Sequence, residues 1–274
     1  MSDPPSQNRR DEVRLSPPAE LSLPIETDPD PTADRPRWFG TLVAAGCLPA
    51  FCIGGILFSL LMPAIQGIRE QARRAACGDN LRRIGLALQD YHDAHGTLPP
   101  AVITAADGTP LHSWRTAILP HLGRSDLFTS IDLSLPWDHP SNEVAAATVV
   151  DAYACPSMPG DPSLTTYLAV IDPRGMFRRA GSVAFGDVPD GLSETILVVE
   201  ASAASAVPWM SPRDVDLTAL ISDATPGRHV HPGGGHVLTG DGAVTFMTET
   251  VDAELLRQRV TVDDGVNEGD NDKD

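Results

Sequence analysis

The sequence predicts an α+β protein: a long N-terminal membrane-anchoring helix packed on an antiparallel β-sheet, with a C-terminal hairpin and a short helix. Three observations predict it. No charged residue lies between Arg37 and Arg69. An apolar stripe at helical spacing follows closely: Leu81, Ile84, Leu88, Tyr91 and His95. Beyond Pro99-Pro100 the chain breaks into short β-rich runs, the last of them interrupted by Asp241-Gly242, a strong hairpin signal.

Taken in order, residues 1–37 hold eight prolines, eight acidic residues and five arginines. No helical or strand period survives that composition, so a disordered tail is expected. It does not resemble a secretory signal, because the apolar run begins late and a long acidic stretch precedes it. Residues 38–68 read as a transmembrane helix, longer than the ~20 residues that span a bilayer, with Trp38 and Phe39 placed as interfacial aromatics. A buried core helix is the competing reading, but core helices keep a polar face. Pro49, Gly54 and Gly55 are tolerated in a lipid helix. Ile65, Ile68, Ala72 and Ala75 carry the period onward into the Leu81 stripe, Gly78-Asp79-Asn80 offer a bend, and Gly96 is a C-cap. From Ile56 to His95 such a rod is about 60 Å long.

Residues 69–262 make the folded domain. "HSWRTAILPHL" carries a helical pattern cut by Pro120, and "NEVAAATVVDAYACPS" reads as a helix followed by a strand. "TTYLAVI", "ETILVVEA" and "GHVLTGDGAVTFM" read as strands, and "DAELLRQRV" as a closing helix with Asp252 as N-cap. The last dozen residues, 263–274, hold six acids and Lys273, a solvated acidic tail.

A formal charge of −17 excludes a nucleic-acid partner, which needs a basic face. Four cysteines are too few for a disulfide scaffold. Cys47 and Cys52 sit in the apolar run, while Cys77 and Cys155 lie outside it and can pair in an oxidising compartment.

The candidate chemistry is sparse. "RHVHPGGGH" brings His229, His231 and His236 together with Asp241 following, a set a divalent ion would accept. The competing reading is preferred: a Gly-rich turn, with His231 hydrogen-bonded to backbone and Asp241 capping the hairpin. His92 and His95 read as helix-end packing. Asp187, Asp190 and Glu194 fit no calcium-loop template and read as turn residues. No nucleophile elbow, P-loop or dinucleotide fingerprint is present, so no catalysis and no cofactor are expected.

An ordered series of segments carries a family resemblance: "LLMPAIQGIREQARRAACGDNLRRIGLALQDYHDAHGTLPPA", "SWRTAILPHL", "PWDHPSN", "YACPS", "TTYLAVI", "DGLSETILVVE", "PWMSPRDV", and His231 followed after nine residues by Asp241-Gly242. Over roughly residues 56–250 the chain resembles the bacterial family called domain of unknown function 1559, whose members are pilin-like and often end in an H-x9-D-G motif.

The resemblance implies an N-terminal helix like that of type IV pilins and pseudopilins, followed by an extracytoplasmic domain. The family's processing run is echoed by Gly40, Thr41, Leu42 and Val43, but its Phe is displaced and its Glu is missing, so a retained anchor is expected. Arginine counts conflict with the implied topology. Arg35 and Arg37 lie on the N-terminal side, and Arg69, Arg73, Arg74, Arg82 and Arg83 on the other, which would put the domain inside. The resemblance puts it outside, and that reading is adopted. Cys77 and Cys155 match positions where the family often has Cys. A bridge across the 77 intervening residues would be worth about 3–5 kcal/mol, and two buried free thiols are the alternative.

The expected function is therefore that of a single-pass, membrane-anchored, pilin-like envelope protein with a structural or interaction role. Its partners would be lipid along residues 38–68, other copies of itself, or envelope proteins. The alternative is an extracytoplasmic solute- or glycan-binding module that uses Trp114, Trp137 and Trp209 as stacking surfaces. A metal-dependent hydrolase built on the histidines ranks last.

Overall fold

The computed structural model describes the backbone of residues 38–262 except 180, 182 and 224–228, and the side chains of these residues from 58 onward, 223 excepted. The tails expected over 1–37 and 263–274 lie outside the described residues. The chain divides into two units, residues 1–59 and residues 60–274.

Within the first unit the described backbone is helical. It is the start of α1, which runs unbroken over Trp38–His95. Most of the expected transmembrane segment 38–68 falls where side chains are not described. Among the described residues no helix is long and apolar enough to cross a membrane.

In the second unit α1 continues to His95. The Gly96 N–H bonds the His92 carbonyl at 2.7 Å and Gly96 takes φ +78°, a left-handed cap that a side chain would disfavour. There follow β1 (Val102–Thr104), β2 (Pro110–Ser113), α2 (Trp114–Ala117), α3 (Ser125–Ser130), α4 (Glu143–Ala146), β3 (Leu164–Thr165) and β4 (Tyr167–Ile171). Then come β5 (Ile196–Glu200), β6 (Val207–Pro208), β7 (Val215–Asp216), α5 (Leu217–Asp223), β8 (Gly234–Thr239), β9 (Val244–Thr248) and α6 (Ala253–Val260). The main sheet has the order β7-β4-β5-β8-β9. It is antiparallel except for the β4–β7 edge, which is parallel.

Both faces of this sheet are covered, which is why β4 and β5 are buried along their whole length instead of alternating with polar residues. On one face Tyr167, Ala169 and Leu238 join a core with Leu81, Ile84 and Leu88 of α1. On the other, Leu168, Val170, Val199 and Val237 pack with Leu220 of α5 and Leu256 and Val260 of α6. Burying Leu81, Ile84 and Leu88 contributes on the order of 5–9 kcal/mol. α1 also approaches the sheet through glycine. A Cβ on Gly85 would stand 2.8 Å from Leu238 Cδ1, and one on Gly78 would stand 3.3 Å from His236 Nε2. Gly78 therefore serves close packing, within a helix that runs unbroken through it.

The α+β class, the Leu81 stripe, the hairpin and the closing helix agree with the sequence reading. Asp252 caps α6 by accepting the Glu254 N–H at 2.7 Å. One expectation fails. Residues 140–153 hold a 3-10 turn (Pro140–Asn142), the single helical turn α4 and a second 3-10 turn (Asp151–Tyr153), with no strand entering Cys155. Ile65, Ile68, Ala72 and Ala75, which carry the helical period up to the Leu81 stripe, are exposed, Ile68 at 67%.

Candidate functional site

The polar centre of the second unit lies where α1 passes the ends of β5 and β8. α1 supplies Glu70 and Cys77, seven residues or two helical turns apart, so both face the sheet. The turn after the short helical segment Asp151–Tyr153 supplies Cys155. β5 ends in Glu200, the Gly-rich turn into β8 supplies His231, and β8 itself supplies His236.

The two sulfurs stand 2.6 Å apart as free, buried thiols. Cys155 Sγ reaches Glu200 Oε1 at 3.3 Å. Glu200 is fully buried, and its Oε2 accepts from the His236 N–H at 3.2 Å and pairs with His236 Nδ1 at 2.7 Å. His231 is equally buried, and its Nδ1 pairs with Glu70 Oε1 at 2.7 Å. Its Nε2 lies 3.2 Å from Glu200 Oε1 but without hydrogen-bond geometry, and has no hydrogen-bond partner among the described residues. One ligand-type atom from each of Cys77, Cys155, Glu200 and His231 falls within 4.8 Å of the others.

The electrostatics follow from burial and neighbours. Burial opposes a charge on Glu200, but the His231 and His236 rings outweigh it and hold the carboxyl well below its usual range. Burial likewise opposes a charge on His231. The Cys155 sulfur and the Glu200 and Glu70 carboxylates outweigh it, raising this group to about 10. In the thiol pair, contact with Cys155 followed by burial raises Cys77, while contact with Cys77 lowers Cys155. Carboxylates and a thiol thus crowd one imidazole, in a place that favours positive charge.

The sequence-derived candidates separate. His231 and His236 converge on Glu200. His229 lines a small hollow of roughly 20 Å³ with Leu220, Val237 and Leu256. Asp241 sits in the β8–β9 turn, where its Oδ1 accepts from Thr239 Oγ1 at 2.6 Å and the Ala243 N–H at 3.0 Å, and Gly242 takes φ +85°. The cap is as expected. The backbone partner expected for His231 is replaced by carboxylates. Asp187, Asp190 and Glu194 form no ligand grouping among the described residues. His92 packs at the helix end, its ring 4.1 Å from that of Phe185 and its Nε2 accepting the Phe185 N–H. Trp114 and Trp209 are buried, against Phe177 and Tyr153 respectively, and Trp137 is half-buried.

Sequence reasoning missed Glu70 and Glu200. Nothing local marks a lone Glu at a strand end or on a basic helix as a partner of a histidine far along the chain. It also missed a second buried centre. Arg115 spends all five N–H donors, on Asp214 Oδ1 at 2.6 Å and on the carbonyls of Tyr167, Trp209, Ser211 and Arg213. Asp214 Oδ1 also accepts from Trp114 Nε1 and the Ala169 N–H. These contacts tie α2, β4 and the loop before β7 together.

Residues 66–173 match the family described as "Protein of unknown function (DUF1559)". Over these residues, fewer than half of the chain, the sequence is similar to that family. No curated protein and no solved structure matches the chain. The DUF1559 segment contains Glu70, Cys77, Arg115 and Cys155. Glu200, His231, His236 and the Asp241 hairpin come from the chain beyond it, so the cluster is completed by strands outside the matched residues.

Proposed function

We propose that this protein is a single-pass, membrane-anchored, pilin-like envelope protein with a structural or interaction role and no catalysis. The supporting observation is the exposed apolar surface where α1 enters the second unit: Phe58 at 62%, Leu60 at 67%, Leu61 at 57% and Ile68 at 67%. A helix surface with these large apolar side chains exposed, continuous in sequence with an uncharged run back to Trp38, fits lipid or a helical neighbour as its surroundings. The helix ends in the domain core, so one element serves as both anchor and spine. The pilin-like resemblance favours an extracytoplasmic head, with self-association or envelope proteins as partners. The binding-module alternative needs open tryptophans, and Trp114 and Trp209 are buried.

The test is alkaline washing and ultracentrifugation of membranes carrying the full-length chain, with phosphatase fusions at its C-terminus. The chain should stay in the pellet with active fusions. Release into the supernatant would refute the anchor, and a pelleted chain with silent fusions would reverse the topology.

A further inference from the structure

We propose that Cys77, Cys155, Glu200 and His231 form a binding site for a zinc-class divalent cation that pins α1 to the sheet. This inference is independent of the membrane reading, since every group involved lies in the second unit.

The donor set is the first argument. Two thiolates, one imidazole and one carboxylate suit a tetrahedral, borderline-soft ion, and they come from four separate stretches of chain, with all four side chains buried. The second is the imidazole. His231 is fully buried, and its Nε2, without a hydrogen-bond partner among the described residues, faces the sulfurs and Glu200. The third is the surrounding shell. Glu70 holds the far ring nitrogen of His231, the carboxylate–histidine arrangement that fixes a ligating ring so that its other nitrogen meets a metal. His236 holds the Glu200 oxygen that does not face Cys155, leaving Oε1 to the centre. The fourth is access. An open cleft of roughly 380 Å³, lined by Ala76, Asn80, Pro156 and Met158, also has Cys155 in its wall.

Ligand atoms of a tetrahedral site with bonds of about 2.0–2.3 Å stand about 3.3–3.8 Å apart. The sulfurs, 2.6 Å apart, part by about 1 Å to admit the ion, and the outermost atoms close in by a similar amount from 4.8 Å. Binding releases the thiol protons of Cys77 and Cys155, and any Nε2 proton of His231, to solvent. No electron moves.

The competing chemistry is oxidation of the same two thiols to a disulfide. A disulfide would leave His231 and the two carboxylates as a buried ion-pair cluster beside a neutral bridge, with no shared ligand for the sulfurs.

The experiment uses the full-length chain in detergent, reduced and then freed of reductant under anaerobic conditions, and titrated with Zn²⁺ or Co²⁺. One ion per chain is expected by elemental analysis, with thiolate-to-cobalt charge-transfer bands for Co²⁺ and a melting temperature that falls when a chelator is added. Cys155→Ser and His231→Gln should abolish the charge-transfer bands or weaken binding at least tenfold. Glu70→Gln, which touches no ligand atom of the ion, should weaken binding about 10–100-fold while leaving the bands in place, so the inference does not hang on variants that fail to fold. A reduced wild-type chain that takes up no ion, or takes up cobalt without thiolate bands, overturns the site. A chain isolated without reductant that is lighter by two hydrogens, and that still binds nothing once reduced, assigns the pair to a disulfide instead.

Discussion

Arg115 shows how much a single side chain carries when it is buried among carbonyls. Its guanidinium and the Asp214 carboxylate both have no solvent exposure, and removing one partner leaves an uncompensated charge in the core. Arg115→Met should therefore destabilise the domain by about 3–5 kcal/mol, read as a lower urea midpoint with an unchanged slope. A loss below about 1 kcal/mol would mean that Asp214 is neutral in the folded chain. Asp241 works at the opposite extreme, on an exposed turn. The Thr239 hydroxyl, then the Ala243 N–H, hold its carboxyl below the usual range. A depressed carboxyl stabilises the fold above its unfolded value and loses that contribution as pH falls through the folded one. Asp241→Asn should cost about 1 kcal/mol near neutrality, and the gap to the parent should start to narrow below about pH 4 and close once the folded carboxyl is protonated. A gap that stays constant from neutrality down to about pH 2 would show that shape, not charge, sets the turn.

At the scale of elements, the meeting of α1 with β8 depends on glycine. A side chain on Gly85 must displace the buried Leu238, whereas a Cβ on Gly67, lower on the same helix, meets nothing within 4 Å. Gly67→Ala should stabilise the helix by up to about 1 kcal/mol through propensity alone. Gly85→Ala gains the same propensity but meets overpacking of about 1–3 kcal/mol, so its melting temperature should fall. If both variants behaved alike, α1 would not be seated on the sheet at Leu238. The same contrast explains what could be read in advance. The stripe Leu81, Ile84, Leu88 repeats with the helical period, and Asp241-Gly242 demands a tight turn; both signals are local and survive in one dimension. The path around Cys155 was misread because "ATVVDAYA" has β-branched content, yet its backbone is committed to short turns that carry Tyr153 to the Arg115 carbonyl, 2.7 Å away. The Glu70–His231 and Arg115–Asp214 pairs join residues 161 and 99 positions apart, and no spacing rule reaches that far. Of the candidate site, only the histidine cluster and the two cysteines were visible beforehand, and only as separate features.

For the whole molecule, the issue is which solvent the uncharged run meets. Its 31 residues between Arg37 and Arg69 contain no charged group, and the described part of that run keeps its large side chains exposed. In water, a row of bare apolar side chains costs roughly 1.5–3 kcal/mol for each one left uncovered. Lipid, or helices of neighbouring copies, removes that cost. The double substitution Ile53→Arg with Ile56→Arg puts two charges near the middle of the run, at about 2.5–3.5 kcal/mol each on an insertion scale. Because the head is built from residues beyond it, its core of Leu81, Ile84 and Trp114 should be untouched. The variant should leave the membrane pellet while keeping the melting temperature of the head. If the run were instead packed inside a soluble body, the parent would already be in the supernatant and the two arginines would lower that melting temperature. Location and head stability together therefore separate an anchor from a core helix, and neither measurement does so alone.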